Sequence, residues 1–418
     1  MIKKKNVVCP SLFVMLVLAT CFAAQTAQAS TVSVGTPNCT NLVNFATIQL
    51  AVNAVPDGST IKICPGNYPE QVVINNKRLA LLGIPNAGGT QDAAVISPPA
   101  GGMVVNTTDQ RGAVAAQVLV KNTAGPVTIS NLTVDGKGNQ YNNDDLRGIL
   151  YQDASGTVKN VAVRNEVPND VPTGIQSGQG IMVETTSSSS ASLTVLNSSV
   201  HNYNKNGILA RYTGAVLIAT GNYVQGYGPT DLIAQNGIEL AFLGATGTIK
   251  NNTVIDNFYT PNSSSSADIL LYDAQENGSI VISGNTLGNS NFGISLFTST
   301  PGTYGDGVKV TGNKIFGTST FDAIDVCTNG NIISGNAIFN SAESGIHLDA
   351  SCGGTGTGNS VTGNTMLESA CAGILTDSGT GIVGAGNVYF TVPFPVTSST
   401  GSCTIPASQT RAKNVPKP

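Results

Sequence analysis

The 418-residue chain has no tryptophan, two histidines and five methionines, and only 11% of its residues are charged. Average soluble domains carry about a quarter charged residues. So little charge excludes a coiled coil or helical repeat, which would be rich in Glu, Lys, Leu and Ala. Charged-tail disorder is disfavoured too, because 40% of the residues are apolar and the mean hydropathy is +0.10. Beyond residue 24 no apolar run approaches the about twenty residues of a spanning helix, so no membrane span is expected. Scarce histidine and the lack of any C-x2-C spacing argue against a zinc site. The chain is rich instead in glycine, with 48 residues, and in small polar residues. That balance predicts β-structure with many turns.

The first 29 residues read as a secretory leader. Lys3, Lys4 and Lys5 precede an apolar run from Leu12 to Ala24, and Ala27-Gln28-Ala29 supplies a small-x-small cleavage site. A lipoprotein leader ending at Cys21 is the alternative, weakened by Thr20 before the cysteine. Secretion, or a periplasmic or surface location, is therefore expected. Cleavage removes three lysines and no acids, taking the formal charge from −4 to −7. With no lysine or aromatic cluster to offset it, this acidity excludes nucleic-acid binding through bulk charge. Six cysteines remain: Cys39, Cys64, Cys327, Cys352, Cys371 and Cys403. An even number in an exported chain predicts disulfides, with Cys39 and Cys64 pairing near the N-terminus.

The strongest signal is internal repetition. From residue 129 a phrase recurs as Ile282-Ser-Gly-Asn-Thr-Leu287, Val310-Thr-Gly-Asn-Lys-Ile315, Ile333-Ser-Gly-Asn-Ala-Ile338 and Val361-Thr-Gly-Asn-Thr-Met366. Its last apolar residue falls at 134, 163, 200, 224, 254, 287, 315, 338, 366 and 388, never closer than the 22 residues from 366 to 388. A second phrase keeps phase with it, as in Gly148-Ile-Leu-Tyr151, Gly237-Ile-Glu-Leu240 and Gly345-Ile-His-Leu348. Short strands at this spacing, with nothing helical between them, predict a solenoid of about 10–12 β-coils. Asparagines 222, 252, 285, 313, 336, 364 and 387 should stack at one turn of each coil, taking the left-handed conformation there. An amphipathic helix near 47–55 should cap the N-terminal end, and residues 391–418 leave the repeat as a proline-rich tail. The single β-helix domain is placed at 30–390, and a monomer is expected.

The phrases Ala46-Thr-Ile-Gln-Leu-Ala-Val, Gly58-Ser-Thr-Ile-Lys-Ile, Pro65-Gly-Asn-Tyr-Pro-Glu70 and Leu79-Ala-Leu-Leu-Gly83, joined to the coils, resemble the pectin lyase-like right-handed parallel β-helix superfamily over about residues 40–390. The resemblance is specific for fold and not for activity. The superfamily includes pectate lyases, polygalacturonases, pectin methylesterases, tailspikes and adhesins. The later motifs of the methylesterases are missing, among them the tryptophan box. Phe321-Asp-Ala-Ile-Asp325 and Gly345-Ile-His347 only loosely echo the polygalacturonase motifs. The resemblance implies that each Gly-Ile strand lies in the first sheet. Four long segments, 135–147, 164–179, 225–236 and 255–267, would then stand beside that sheet as one wall of a groove, which in sugar-acting relatives holds the glycan.

Strict alternation predicts which first-sheet residues face outward. The column after Ile includes Leu150, Met182, Leu209, Glu239, Leu270, Ser295, Asp325, His347 and Leu375. Two residues further on come Glu184, Arg211, Tyr272, Phe297, Asp349 and Asp377. Asp325, His347, Asp349 and Asp377 form the candidate catalytic cluster. Coil spacing places Asp325 about 8 Å from Asp349, the separation of an inverting glycosidase pair. Asp349 and Asp377, stacked on adjacent coils, should raise one pKa or let Ca²⁺ bridge them, although no cofactor is required. Arg147, Glu184, Arg211, Glu239 and Tyr272 are the candidate substrate-binding residues, with Arg211 a partner for a uronate carboxylate. Two functions follow: a polysaccharide hydrolase or lyase working on the first-sheet face, or a non-catalytic surface, adhesive or structural β-helix.

Overall fold

The computed structural model describes residues 28–86, 91–141, 145–186, 189–260, 266–275, 279–300, 304–318, 320–350, 352, 356–377 and 381–398. The expected leader through residue 27, with Cys9 and Cys21, and the tail from 399, with Cys403, lie outside them.

Among the described residues the chain is an all-β parallel β-helix whose first, second and third sheets have 13, 14 and 12 strands. Each sheet is one ladder in which a strand pairs with its counterpart one coil earlier and one coil later. Thr107–Asp109 departs from this by pairing antiparallel with Gly112–Lys121. The first sheet carries the Gly-Ile strands, such as Asn206–Arg211, Asn236–Ala241 and Ala267–Tyr272. The second carries strands such as Ala215–Thr220, and the third strands such as Thr365–Leu367.

Stacked apolar columns explain why the repeat folds this way. Ile149, Ile181, Ile208, Ile238, Ile269 and Ile294 pair in register through the first sheet. The repeat anchors Val134, Val163, Val200, Val224 and Val254 do the same through the third. All are fully buried, and each side chain contributes about 1.5–3 kcal/mol on leaving water.

The asparagine ladder forms as expected, with a different backbone. Asn285 Nδ2 donates to Asn313 Oδ1 at 2.9 Å and to the Ile249 carbonyl at 3.0 Å. Its Oδ1 accepts from the Asn252 amide N–H and from Asn252 Nδ2. The left-handed residue is the one before each ladder asparagine, such as Gly284 at φ 65° or Asn251 at φ 54°. The ladder side chain must point down the axis to its neighbours, so the turn is made one position earlier.

A seven-residue helix, Ile48–Ala54, sits where 47–55 was expected. Glu70 accepts its first two N–H groups, those of Ile48 and Gln49, at 2.8 Å each, where the helix dipole favours an anion. Ile48, Ala51 and Val52 form its buried face. At the other end Phe394–Thr397 joins the first sheet beside Ala372–Thr376. The coils therefore run past the expected boundary at 390.

Cys39–Cys64 and Cys327–Cys352 are disulfides with Cα atoms 5.7 and 5.5 Å apart, and Cys371 is also disulfide-bonded. Such bonds fit an oxidising, non-cytoplasmic compartment. Among the described residues no helix is long and apolar enough to cross a membrane.

Candidate functional site

The outward column predicted for the first sheet is present in register. Leu150, Met182, Leu209, Glu239, Leu270, Ser295, Asp325, His347 and Leu375 are successive partners across nine coils. The alternation fails at one place. The first-sheet ladders step over each glycine, and a Cβ on Gly237 would lie 2.2 Å from Val254 Cγ1 in the core. Glycine and the following isoleucine thus both face inward, and the residue before the glycine is turned out. This local kink brings a third column to the outer face: Gln179, Asn206, Asn236, Phe292 and Asp322. Period-two reasoning missed it, although its signal was the recurring glycine itself.

The expected floor beneath the long loops is largely closed. The antiparallel strand Thr107–Asp109 and its turn lie over Arg147, Glu184 and Arg211, leaving all three fully buried. Arg147 Nη2 donates to Asp145 Oδ1 at 2.6 Å, and Arg147 also donates to Gln179. Arg211 Nη2 donates to Glu184 Oε2 at 2.7 Å and to Asp109. Arg147 and Glu184 are therefore structural partners in a buried ion network, which corrects their assignment to substrate. Desolvating five charged groups is tolerable only because they pair with one another. Arg211 borders open space, but its paired charge is not free for a uronate as expected. Glu239 accepts hydrogen bonds from the amides of Asn206 and Asn236.

Beyond this lid the face opens into a cleft of about 820 Å³. Its floor runs from Leu209 and Glu239 through Leu270 and Ser295 to Asp325 and His347. Along one side Tyr212, Phe242, Tyr272 and Phe297 form a continuous rail, with successive ring centroids 6.3, 5.4 and 5.0 Å apart. Across the cleft Phe292 stacks on Phe321 at 4.9 Å. Tyr272 thus stands where the sequence placed it, within a larger aromatic surface.

At the C-terminal end Asp322, Asp325, Glu343, His347 and Asp349 converge. His347 Nδ1 lies 3.1 Å from Asp322 Oδ2, and Asp322 Oδ1 accepts the Ser344 N–H at 2.9 Å. Asp377 reaches the cluster from the side, with Oδ1 3.8 Å from His347 Nε2 and Oδ2 accepting the Ala350 N–H. One atom each from Asp325 and Asp349 lies within 4.8 Å of the other. That is closer than the diagonal of about 8 Å expected from strand spacing, because the two side chains lean together over the ladder. The separation therefore does not argue for an inverting pair.

The electrostatics follow from crowding. Burial, then the fields of Asp322 and Asp349, hold the Asp325 carboxyl well above the usual carboxylate range. Burial and Asp322 push Glu343 up to about 7. Burial opposes a charge on His347, yet its bond to Asp322 and the fields of Asp322, Asp325 and Asp349 outweigh it and raise the imidazole to about 9. At neutral pH the cluster thus holds an imidazolium beside Asp325, whose carboxyl keeps a raised proton affinity. Asp322 and Glu343 were absent from the sequence-derived cluster. Asp322 follows from the glycine-position kink, here at Ala323, while nothing in the repeat phase marks Glu343.

The cluster also bears on Ca²⁺. Calcium takes six to eight oxygen ligands. Here the Cys327–Cys352 disulfide removes two thiolates from one grouping of donors, and His347 stands in the middle of the others.

No family model and no curated protein matches the chain. Solved structures do. The catalytic domain of a GH87 alpha-1,3-glucanase in complex with tetrasaccharides aligns over 96% of this chain and 69% of its own, at 12% identity and a TM-score of 0.56. The domain in complex with nigerose aligns over 95% and 71%, at 13% identity and 0.54. The catalytic unit of the thermostable GH87 alpha-1,3-glucanase from Streptomyces thermodiastaticus strain HF3-3 aligns over 84% and 65%, at 14% identity and 0.55. At these identities the likeness establishes the fold, a parallel β-helix shared with these alpha-1,3-glucanases.

Proposed function

We propose that the chain is an exported glycoside hydrolase that cleaves a polysaccharide lying along the first-sheet cleft. The observation that carries this reading is Asp325, a buried carboxyl at the cleft floor whose proton affinity is raised by burial and by Asp322, beside a second carboxyl, Asp349. Two neighbouring carboxyl groups, one of raised proton affinity, are the equipment of glycoside hydrolysis. Asp325 hands its proton to the glycosidic oxygen as the C–O bond breaks. Asp349 attacks the anomeric carbon as that bond breaks, and water then hydrolyses the glycosyl–Asp349 ester, its hydroxyl going to the anomeric carbon and its proton to Asp325. His347 is a positioning residue, fixed by Asp322, whose positive charge offsets the surrounding carboxyl groups. With that imidazolium supplying the local cation, no Ca²⁺ is required. The aromatic rail offers flat apolar surfaces for the faces of sugar rings, and Tyr272 and Phe297 stand nearest the acid. The structural neighbours are glucanase domains in complex with saccharides, which supports a glycan as the ligand. The leader at residues 1–29 fits the disulfides, the helix Ile48–Ala54 is taken as the end cap, and a monomer suffices for the site.

The test is incubation of the mature protein with a panel of neutral and acidic polysaccharides, scored for new reducing ends and for the absorbance of unsaturated products. Hydrolysis predicts reducing ends without that absorbance, unaffected by a chelator. Asp325→Asn should lower kcat by at least about 100-fold, the scale of a lost general acid. Binding without turnover across the panel would leave the adhesive alternative standing. Unsaturated products would make the enzyme a lyase.

A further inference from the structure

The end of the cleft away from the acid cluster has a charge of its own. Arg111, Lys205 and Arg211 line it, with Glu239 the one acidic residue among its lining. Arg111 reaches it from the turn after Thr107–Asp109, which closes the earlier part of the face. Lys205 lies against the cleft wall, where its Nζ donates to the Ala234 carbonyl at 2.5 Å. An ammonium has three protons to give, and this is its one acceptor among the described residues. Arg211, almost completely buried, leaves both Nε and Nη1 without an acceptor while Nη2 is held by Glu184. One oxygen of Glu239, Oε2, already accepts from the amides of Asn206 and Asn236. Hydrogen-bond donors are therefore in excess at this end, and with Arg211 paired to Glu184 and Asp109 the unpaired cations among the described residues lining it are Lys205 and Arg111.

We infer that Arg111 and Lys205, backed by Arg211, form a subsite for an anionic substituent of the polysaccharide, four coils from the residue that is cleaved. The count comes from the ladder, where Leu209, Glu239, Leu270, Ser295 and Asp325 are consecutive partners. At the spacing of neighbouring strands this is about 19 Å, the span of several sugar rings. The aromatic rail bridges the interval and makes no demand on charge. The acid cluster repels a further carboxylate, so the sugar cleaved is neutral and the anion sits remote from it. A carboxylate, a sulfate or a phosphate ester would each satisfy the donors.

This inference rests on the hydrolase reading only for where the cut falls, and its test is a binding measurement. The probes are one soluble neutral glucan and the same glucan carrying sparse carboxymethyl or sparse sulfate groups, titrated calorimetrically into the Asp325→Asn protein. Either substituted glucan should bind at least about tenfold more tightly than its parent at low salt, with the gain shrinking at high salt. Lys205→Met and Arg111→Ala should each remove most of that gain and leave the parent glucan's Kd unchanged. The larger of the two gains identifies the anion. Equal binding of substituted and parent glucans, or a gain that survives both variants, would overturn the inference. Arg111 is exposed, so its variant stays informative even if Lys205→Met does not fold. If no polysaccharide is hydrolysed while the gain persists, the hydrolase reading fails and the subsite stands.

Discussion

Removing Asp322 should change the titration of a single histidine by an amount the structure sets. In the wild-type protein His347 titrates near 9, against 6.5 for a free imidazole. Because the folded value is the higher one, the charge on His347 stabilises the fold fully below pH 6.5 and loses that effect as pH rises through 9. At pH 7 the linkage is worth about 2.5 kcal/mol, taking 1.36 kcal/mol per pH unit. Asp322 supplies both the hydrogen bond and the first of the carboxyl fields. In Asp322→Asn burial should prevail and bring His347 back toward 6.5 or below. The variant should therefore be less stable by about 2 kcal/mol at pH 6–7, with the deficit vanishing above pH 9. An opposing gain is built in, since Asp322 also holds up Asp325 and Glu343, and its removal eases the repulsion on both. The histidine titration separates the two effects. The chain has only His201 and His347, so nitrogen-detected imidazole spectra resolve each, and burial holds His201 below the usual imidazole value. A wild-type His347 that titrates near 6.5, or one unmoved by Asp322→Asn, would refute the account of the cluster.

Other substitutions probe the scaffold and the cleft. Asn285→Ala breaks the ladder mid-stack and orphans the Asn252 N–H and the Ile249 carbonyl; denaturant unfolding should register a loss of about 2–4 kcal/mol. Gly237→Ala should cost about 1–3 kcal/mol through overpacking against Val254, and retention of wild-type stability would show that the kink is not forced by the core. Tyr272→Ala removes the centre of the aromatic rail and should raise KM about tenfold while kcat stays within a few-fold, as expected for uniform binding. A selective loss of kcat would instead place Tyr272 at the reacting bond.

Much of the fold was legible because a solenoid writes its geometry into its period. The anchors from Val134 to Met366 became one buried column of the third sheet, and the residues after each Gly-Ile became one outward column of the first. Each depends only on a strand meeting its own counterpart one coil away. The errors arose where another segment intervened or the period broke. Arg147, Glu184 and Arg211 belong to the correct face, but Thr107–Asp109 lies across them. Asp109 is 102 positions from Arg211 in the chain, and no repeat phase connects the two. Asp322 was passed over because a glycine-position kink reversed the alternation on which the prediction rested.

The sequence by itself determined the low charge, the coil period, the turn asparagines and the columns of residues. Inward residues must be apolar, and like charges stacked at about 4.8 Å would repel, so a neutral, glycine-rich chain is what a β-solenoid requires. Only the tertiary structure decided which part of the outward face is open, which charges are spent on one another, and which carboxyl has its proton affinity raised. Those outcomes depend on burial and on distances between side chains on different coils. Asp325 is written as one acid among several, and its proton affinity is raised only once burial, Asp322 and Asp349 surround it.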